Sequence, residues 1–333
     1  MSNFSKNVLL EVKDLEMYFP VYNGAFGRKL ADVKAVDGIS FSIPAGTTFG
    51  LVGESGCGKT TVGKCILRIN KPTNGQIVYN GVDITQMNNR RLKPYRREIQ
   101  LIFQDPYGSL DPRQTVFSII KEAIVSDGKK HERQELQTRV NELLTLVDLD
   151  PAMGPRYPHE MSGGQRQRLG IARALACDPK LIVCDEPVSA LDVSIQAQII
   201  NLFESLQKKL GITYLFIAHD LAVVRHIADV VAVMYLGHIV EIMEAEKLYA
   251  NPLHPYTKAL LSAVPITDYY VEQTRYREVL GGEVPSPMDA PKGCAFHPRC
   301  RFATEQCKHE TPCLMDTGDG HLCACHNLGN LAD

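Results

Sequence analysis

The run Gly53-Glu54-Ser55-Gly56-Cys57-Gly58-Lys59-Thr60-Thr61 constrains this chain more than any other stretch. Its glycines let successive backbone N–H groups turn inward without side-chain obstruction, as a loop that cradles phosphate groups requires. Lys59 adds a point charge for the β- and γ-phosphates of a nucleotide, and the Thr60 hydroxyl suits Mg²⁺. An apolar, β-prone run over 47–52 precedes the loop, and a helix-compatible run over 62–69 follows it. That order predicts strand, loop and helix, with the positive N-terminal end of the helix facing the phosphates.

A chain of 333 residues has room for one large core or for two domains. The formal net charge of -2 offers no basic footprint for nucleic acid. No apolar run reaches the roughly 18–20 residues that span a bilayer. The opening Met1-Ser2-Asn3-Phe4-Ser5-Lys6-Asn7 lacks the charged-then-apolar order of a signal peptide. The expectation is a chain in the cytosol, or on the cytosolic face of a membrane and held there by partners.

Residues 9–15 partly alternate and read as a strand that Tyr18-Phe19-Pro20 ends; 35–43 read as a second. Asn80-Gly81 between β-prone runs signals a hairpin over 76–84. Residues 99–103 form a short buried strand ending at Gln104. From 107 to 177 the texture becomes helical, with Leu136, Val140, Leu143, Leu144 and Val147 at helical spacing, which predicts a helical insertion. Residues 181–184 are a buried strand ending in Asp185-Glu186, and Ile195, Ile199, Leu202, Phe203, Leu206 and Leu210 mark an amphipathic helix. The strand over 213–218 ends at His219, and 230–242 read as another hairpin. After 250 the pattern loosens into a proline-rich segment, where long regular elements are not expected.

Asp185-Glu186 at the end of an apolar strand is the expected partner of a phosphate loop. The first carboxylate holds Mg²⁺ and the second polarises an attacking water. Gln104 and His219 also follow strands, from where the amide reaches Mg²⁺ or water and the imidazole reaches the γ-phosphate end. Met161-Ser162-Gly163-Gly164-Gln165 opens a helix and forms a second anion site at a helix N-terminus. Capping accounts for Ser162 but not for the Gly-Gly-Gln run. One γ-phosphate has no need of two such sites unless two subunits share it.

Together these residues resemble the ATP-binding subunits of ATP-binding-cassette (ABC) transporters over roughly 8–250. The resemblance implies an α/β fold: an ABC-type P-loop ATPase core with an antiparallel β subdomain and a helical subdomain at about 107–178. It divides the chain into an ATPase domain, 1–250, and a small irregular Cys-rich C-terminal extension, 251–333. Phe19 stands as the adenine-stacking aromatic, with Tyr18 as the alternative. Gly53, Glu54, Ser55, Gly56, Cys57, Gly58, Lys59, Thr60 and Thr61 stand as the Walker A loop; Thr60 replaces the commoner serine but keeps the hydroxyl. Gln104 stands as the Q-loop residue and Ser162, Gly163, Gly164 and Gln165 as the signature motif, which acts on ATP held by the opposing subunit. Asp185 is the Walker B aspartate, Glu186 the catalytic glutamate, Asp192 the D-loop aspartate in Ser189-Ala190-Leu191-Asp192, and His219 the switch histidine. Thr60, Gln104 and Asp185 then surround Mg²⁺, and no catalytic motif is degenerate.

Within that family, the lengthened first hairpin over 18–33, Asp105-Pro106-Tyr107-Gly108-Ser109-Leu110-Asp111-Pro112-Arg113, His254-Pro255-Tyr256-Thr257 and Gly282-Glu283-Val284-Pro285 are similar to the F-type ATPase of dipeptide/oligopeptide importers. Such a subunit implies a second, homologous ABC ATPase, two transmembrane permeases and an extracytoplasmic peptide-binding protein. Nickel and glutathione importers share this branch. A soluble ABC ATPase acting on DNA or ribosomes is the rival from another class; against it stand the lack of a coiled-coil insertion, a second cassette and a basic excess. A redox sensor using the tail is a third reading.

Six of the ten cysteines fall after Gly293. Their spacing is not that of a common zinc ribbon, and four thiolates on irregular backbone suit an iron–sulfur cluster, with zinc or reduced thiols as alternatives. The tail is similar to the C-terminal extension of peptide-importer ATPases, some of which bind a [4Fe–4S] cluster. That resemblance selects Cys294, Cys300, Cys307 and Cys325, with Cys313 and Cys323 as substitutes. The remaining four cysteines are expected to be small packing residues of the core.

Overall fold

The computed structural model describes residues 7–23, 27–105, 107–126, 128–264, 281–283 and 285–328. The stretch 1–6, Pro106 and Val284, which enter the readings above, lie outside the described residues. In chain order the strands are β1 (Val8–Asn23), β2 (Arg28–Pro44), β3 (Thr48–Val52), β4 (Asn74–Tyr79), β5 (Val82–Asp83), β6 (Ile99–Ile102), β7 (Leu181–Asp185), β8 (Thr213–Ala218), β9 (Val230–Tyr235), β10 (His238–Glu244), β11 (Met315–Asp316) and β12 (Leu322–Cys323). The helices are α1 (Lys59–Ile66), α2 (Asn89–Glu98), α3 (Val116–Val125), α4 (Arg133–Leu146), α5 (Gly163–Leu175), α6 (Val193–Leu210), α7 (Leu221–Ile227), α8 (Ala245–Ala250) and α9 (Pro255–Ala263), followed by the short helix Glu305–His309. They fall into two compact units. The first comprises Met1–Pro44, Thr48–Gln86 and Ala218–Asp333, the second Ala45–Thr47 and Met87–Ile217.

In the first unit β1 pairs antiparallel with β2 on one side and β4 on the other, so Val12 stands opposite both Phe41 and Ile77. This is the expected antiparallel sheet, completed by β5 through the Asn80-Gly81 turn. One expectation fails: β1 does not end at Tyr18-Phe19-Pro20 but continues to Asn23, with Pro20 opposite Asp32. Pairing with β4 stops at Glu16, so among the described residues β1 is paired beyond it only with β2, the edge setting in which a strand tolerates proline. The wholly buried β3 runs parallel to β9, which turns back into β10, placing Leu51 beside Ala232. Such continuous apolar runs suit strands covered on both faces.

The residues after 250 are less irregular than their prolines suggest. Pro255 occupies the first turn of α9, where its missing N–H costs nothing, and His254 caps that helix by accepting the Tyr256 N–H on Nδ1 at 3.1 Å. The tail then adds β12 to the edge of β10, pairing Cys323 with Glu241. Glu241 is fully buried, accepts the N–H groups of Leu253 (2.7 Å) and His254 (2.9 Å), and meets His321 Nε2 at 2.7 Å. A buried carboxylate needs that many partners, and here they stitch the tail to the sheet.

In the second unit β6, β7 and β8 are parallel, with β7 central. Leu136, Val140, Leu143 and Leu144 of α4 are buried as their spacing predicts, in a helical segment that also holds α3 and α5. On α6 the stripe Ile199, Leu202, Phe203 and Leu206 is buried, whereas Leu210, at the helix end, is 50% exposed. Among the described residues no helix is long and apolar enough to cross a membrane.

Candidate active site

The phosphate loop joins β3 to α1 in the first unit. Its glycines are demanded by geometry. Gly58 caps α1 at φ 109°, and a Cβ there would lie 2.0 Å from the Ala35 carbonyl oxygen. At Gly53 a Cβ would lie 2.1 Å from the Met234 carbonyl oxygen. The Lys59 side chain folds back into the loop, its Nζ donating to the carbonyls of Gly53 (2.7 Å) and Glu54 (2.9 Å), and the residue is only 4% exposed. Among the described residues it has no carboxylate partner, so a nearly buried cation is compensated chiefly by carbonyl dipoles. An anion brought to the loop completes that compensation. Thr60 and Thr61 follow in the first turn of α1, and Cys57 is buried beside Lys59 at 3.7 Å.

The alternatives for the adenine-stacking aromatic separate. The Tyr18 hydroxyl donates to Asp37, whose carboxylate also accepts from Lys34 at 3.1 Å, and the Lys34 ammonium stands over the Tyr18 ring. Burial and the Asp37 hydrogen bond hold the Tyr18 phenol well above its ordinary range. Phe19, by contrast, is 38% exposed.

The carboxylate residues lie in the second unit. Asp185 closes β7, and Glu186 follows at φ 46°, a left-handed conformation uncommon for glutamate. Gln104, two residues beyond β6, donates its amide to Glu186 Oε2 at 2.9 Å. The Glu186 carbonyl accepts from the Ser189 N–H (3.3 Å) and hydroxyl (3.1 Å), and Gln196 donates to the carbonyls of Val188 and Leu191 at 3.0 Å each. Asp192 stands at the N-cap position of α6 without a side-chain capping bond.

Ser162 and Gln165 form a reciprocal capping box: the hydroxyl accepts the Gln165 N–H at 3.3 Å, and Gln165 Oε1 accepts the Ser162 N–H at 3.0 Å. Capping therefore explains Gln165 as well as Ser162, and only Gly163 and Gly164 go beyond it. At Gly164 a Cβ would stand 2.8 Å from the Ile195 side chain of α6. His219, which follows β8, belongs to the first unit and is exposed.

The four tail thiols chosen for a cluster are neighbours. Burial pushes the Cys294 thiol up to about 11, with Cys307, Cys300 and Cys325 adding to the effect. Burial likewise raises Cys300 and Cys325, each with contributions from others of the four. The Cys294 N–H donates to the Cys307 carbonyl at 2.8 Å. Cys313 is exposed, whereas Cys323 is buried against Cys325. Yet among the described residues no group of three or more His, Cys, Asp or Glu side chains is arranged to hold a metal ion. The structure by itself therefore shows no ready metal site at these thiols among the described residues, and the [4Fe–4S] expectation is not shown by it. Cys57, Cys65, Cys177 and Cys184 are buried, as expected of packing residues.

Sequence reasoning missed two residues that reach the phosphate loop. The Arg299 guanidinium grips the Glu54 carboxylate, and the Tyr256 hydroxyl accepts the Glu54 N–H at 2.9 Å. The motif His254-Pro255-Tyr256 was a signal for the branch, but nothing local ties it to a loop about two hundred residues earlier.

A phosphate loop after a buried strand, a strand-end Asp-Glu pair gripped by a glutamine, and a capped Ser-Gly-Gly-Gln helix define an ATP-binding-cassette ATPase. The sequence model described as ABC transporter matches residues 36–189, and that of the oligopeptide/dipeptide transporter C-terminal region matches 240–307. The chain is 53% identical to the oligopeptide transport ATP-binding protein AppF of Bacillus subtilis, over 98% of this chain and 99% of that one. It is 49% identical to OppF, an oligopeptide transport ATP-binding protein of Salmonella typhimurium, with 93% of each chain covered. It is 47% identical to the dipeptide transport ATP-binding protein DppF of Haemophilus influenzae, over 96% of this chain and 97% of that one. Among solved structures, the ATP-binding cassette MJ0796 in a dimeric post-hydrolysis state with ADP and Pi superposes with a TM-score of 0.63 at 25% identity, covering 71% of this chain and 98% of that one. The chain belongs to the ABC transporter ATPases, in the family of oligopeptide and dipeptide transport ATP-binding proteins.

Proposed function

We propose that this chain is the F-type ATP-hydrolysing subunit of a membrane complex that imports dipeptides or oligopeptides. One observation carries the reading: an ABC transporter region over 36–189 is followed in the same chain by an oligopeptide/dipeptide transporter C-terminal region over 240–307. On this reading residues 1–250 are the ATPase domain, with a helical subdomain at about 107–178, and 251–333 the extension.

Lys59 and the loop N–H groups hold the β- and γ-phosphates of ATP, and Phe19 stacks on adenine. Thr60, Asp185 and Gln104 are the residues that would hold Mg²⁺, and the ion would neutralise phosphate charge. Glu186 takes a proton from water as its oxygen attacks the γ-phosphorus. The bond from that phosphorus to the bridging oxygen breaks, leaving ADP and phosphate, while His219 and Gln104 orient the reacting end. Ser162, Gly163, Gly164 and Gln165 serve ATP held by the partner's loop, so the working unit pairs this chain with a second, homologous ATPase. ATP closes the pair, hydrolysis reopens it, and two permeases convert the cycle into transport of peptide delivered by an extracytoplasmic binding protein. The chain then sits peripherally on the cytoplasmic face of the membrane.

The test is purification of the tagged chain with its complex from membranes. The reading expects a second ATPase, two permeases, and ATP hydrolysis stimulated by a peptide-loaded binding protein. Stimulation by nickel or glutathione instead assigns a sibling importer; copurification with DNA or ribosomes and no permease overturns the reading.

A finer reading concerns the tail: Cys294, Cys300, Cys307 and Cys325 take up a [4Fe–4S] cluster. What supports it is the similarity of the tail to extensions that carry such a cluster, together with the nearness of Cys294 and Cys307, joined by the 2.8 Å hydrogen bond from the Cys294 N–H to the Cys307 carbonyl. Anaerobically purified protein is then brown with about four irons per chain, and Cys300→Ser loses the colour. Colourless protein with stoichiometric zinc contradicts it.

A further inference from the structure

A phosphate loop rich in glycine is soft, since each glycine opens backbone conformations that other residues avoid. Its N–H groups bind phosphate well only if their directions are set before the nucleotide arrives. In this chain both ends of one loop residue, Glu54, are held by residues from beyond position 250. The Glu54 N–H donates to the Tyr256 hydroxyl at 2.9 Å, and Tyr256 itself is fully buried. The Glu54 carboxylate accepts two hydrogen bonds from Arg299, at 2.9 Å from one terminal nitrogen and 3.2 Å from the other. This is the bidentate arrangement that fixes direction as well as distance. The Arg299 side chain is 7% exposed, with its guanidinium near the Tyr235 ring and hydroxyl, and Tyr235 and Tyr256 both pack on Phe296. The clamp thus stands on a rigid aromatic wall rather than on a mobile surface arm.

Charge adds a second consequence. An uncompensated Glu54 carboxylate in the loop repels the phosphates that Lys59 attracts. Arg299 cancels that charge where water screens it least.

We propose that Arg299, seconded by Tyr256, is a positioning residue for nucleotide binding: the C-terminal tail holds the phosphate loop in its binding form and neutralises Glu54. The proposal rests on ATP binding at Lys59 and its loop, and it gives the tail a part in the nucleotide cycle. Lys59 acts on phosphate directly, whereas Arg299 acts only through Glu54.

The experiment measures Mg·ATP affinity of the full-length chain, and KM and kcat in the assembled complex, for the parent, Arg299→Ala, Glu54→Ala, the pair together, and Tyr256→Phe. Arg299→Ala is expected to weaken ATP binding and raise KM about tenfold, the effect of losing a charge-assisted bidentate contact, with kcat at saturation within about twofold. Arg299→Ala together with Glu54→Ala is expected to bind better than Arg299→Ala alone, because the unpaired carboxylate is gone. Tyr256→Phe, which removes one hydroxyl and little else, is expected to cost about threefold in affinity. Should Arg299→Ala not fold, Arg299→Lys, which keeps the buried stem and charge but not the fork, carries the same test with a smaller loss. The proposal is overturned if the Arg299 variant binds ATP like the parent, or if the two alanine substitutions combine additively. It is equally overturned if thermal stability falls while KM is unchanged, which is what a merely structural tie predicts. A parent chain that does not bind Mg·ATP defeats the underlying reading as well.

Discussion

The amide of Gln104 donates to the carboxylate of Glu186 across 2.9 Å, between residues 82 positions apart in the chain. The contact follows from strand register. β6 and β7 are parallel neighbours with Ile102 opposite Cys184, and each of the two residues lies two positions further on. Glu186 itself sits at φ 46°, in a backbone conformation that costs on the order of 1 kcal/mol or more and persists at functional positions. The bend and the amide together orient the carboxylate, which suits the proton-accepting role proposed for Glu186.

Replacing that amide by an acid tests the pairing. In Gln104→Glu two carboxyl groups face each other at hydrogen-bond distance, and their mutual repulsion opposes ionisation of both at once. If the base acts when deprotonated, the acid limb of the pH–rate profile for kcat is expected to move to higher pH by about one unit or more, and by less in Gln104→Ala, which removes the amide donor without adding a charge. Superimposable profiles for Gln104→Glu and the parent contradict the pairing.

Two glycines of the phosphate loop should respond differently to alanine. At Gly58 a methyl group meets both a left-handed φ of 109° and a carbonyl oxygen at 2.0 Å, so Gly58→Ala is expected to abolish ATP binding and to lower stability by about 3 kcal/mol. At Gly56 φ is 80° but nothing lies within 4 Å of the added carbon, so Gly56→Ala should cost only about 1–2 kcal/mol and retain binding. Equal effects in thermal unfolding and nucleotide titration contradict this account of the loop.

What was legible in the sequence was local. The phosphate loop, the strand ends at Gln104 and Asp185, and the stripes of α4 and α6 are all written within a few turns of chain. Proline misled in two ways. Pro20 reads as a strand end because the sequence does not say which edge of β1 lacks a partner. Pro255 reads as a joint, although a histidine cap before it makes it a helix start. Helix α2 carries Pro94 within it and buries only Leu92, so no apolar stripe announces it. The Arg299–Glu54 clamp was invisible because its partners are 245 residues apart.

The buried His254 gives the fold a pH dependence. Burial, against the opposing pull of Glu241, lowers its pKa to about 4. The unfolded chain therefore binds a proton that the folded chain refuses between about pH 6.5 and 4, and stability falls as pH drops through that window. The loss from this residue reaches about 3 kcal/mol at the acid end. His254→Asn keeps a capping side chain and removes the titration, so its stability is expected to change less than the parent's between pH 7 and 4. Parallel curves for the two proteins in denaturant unfolding contradict the assignment.

The most direct test of the whole account is Glu186→Gln in the assembled complex, with ATP binding, ATP hydrolysis and uptake of a labelled oligopeptide measured together. The substitution preserves shape and the contact to Gln104 while removing the proton-accepting charge. The account predicts ATP affinity within about threefold of the parent, hydrolysis at this chain's catalytic site reduced by about a hundredfold or more, and peptide uptake lost with it. Hydrolysis and uptake continuing at the parental rate would contradict it.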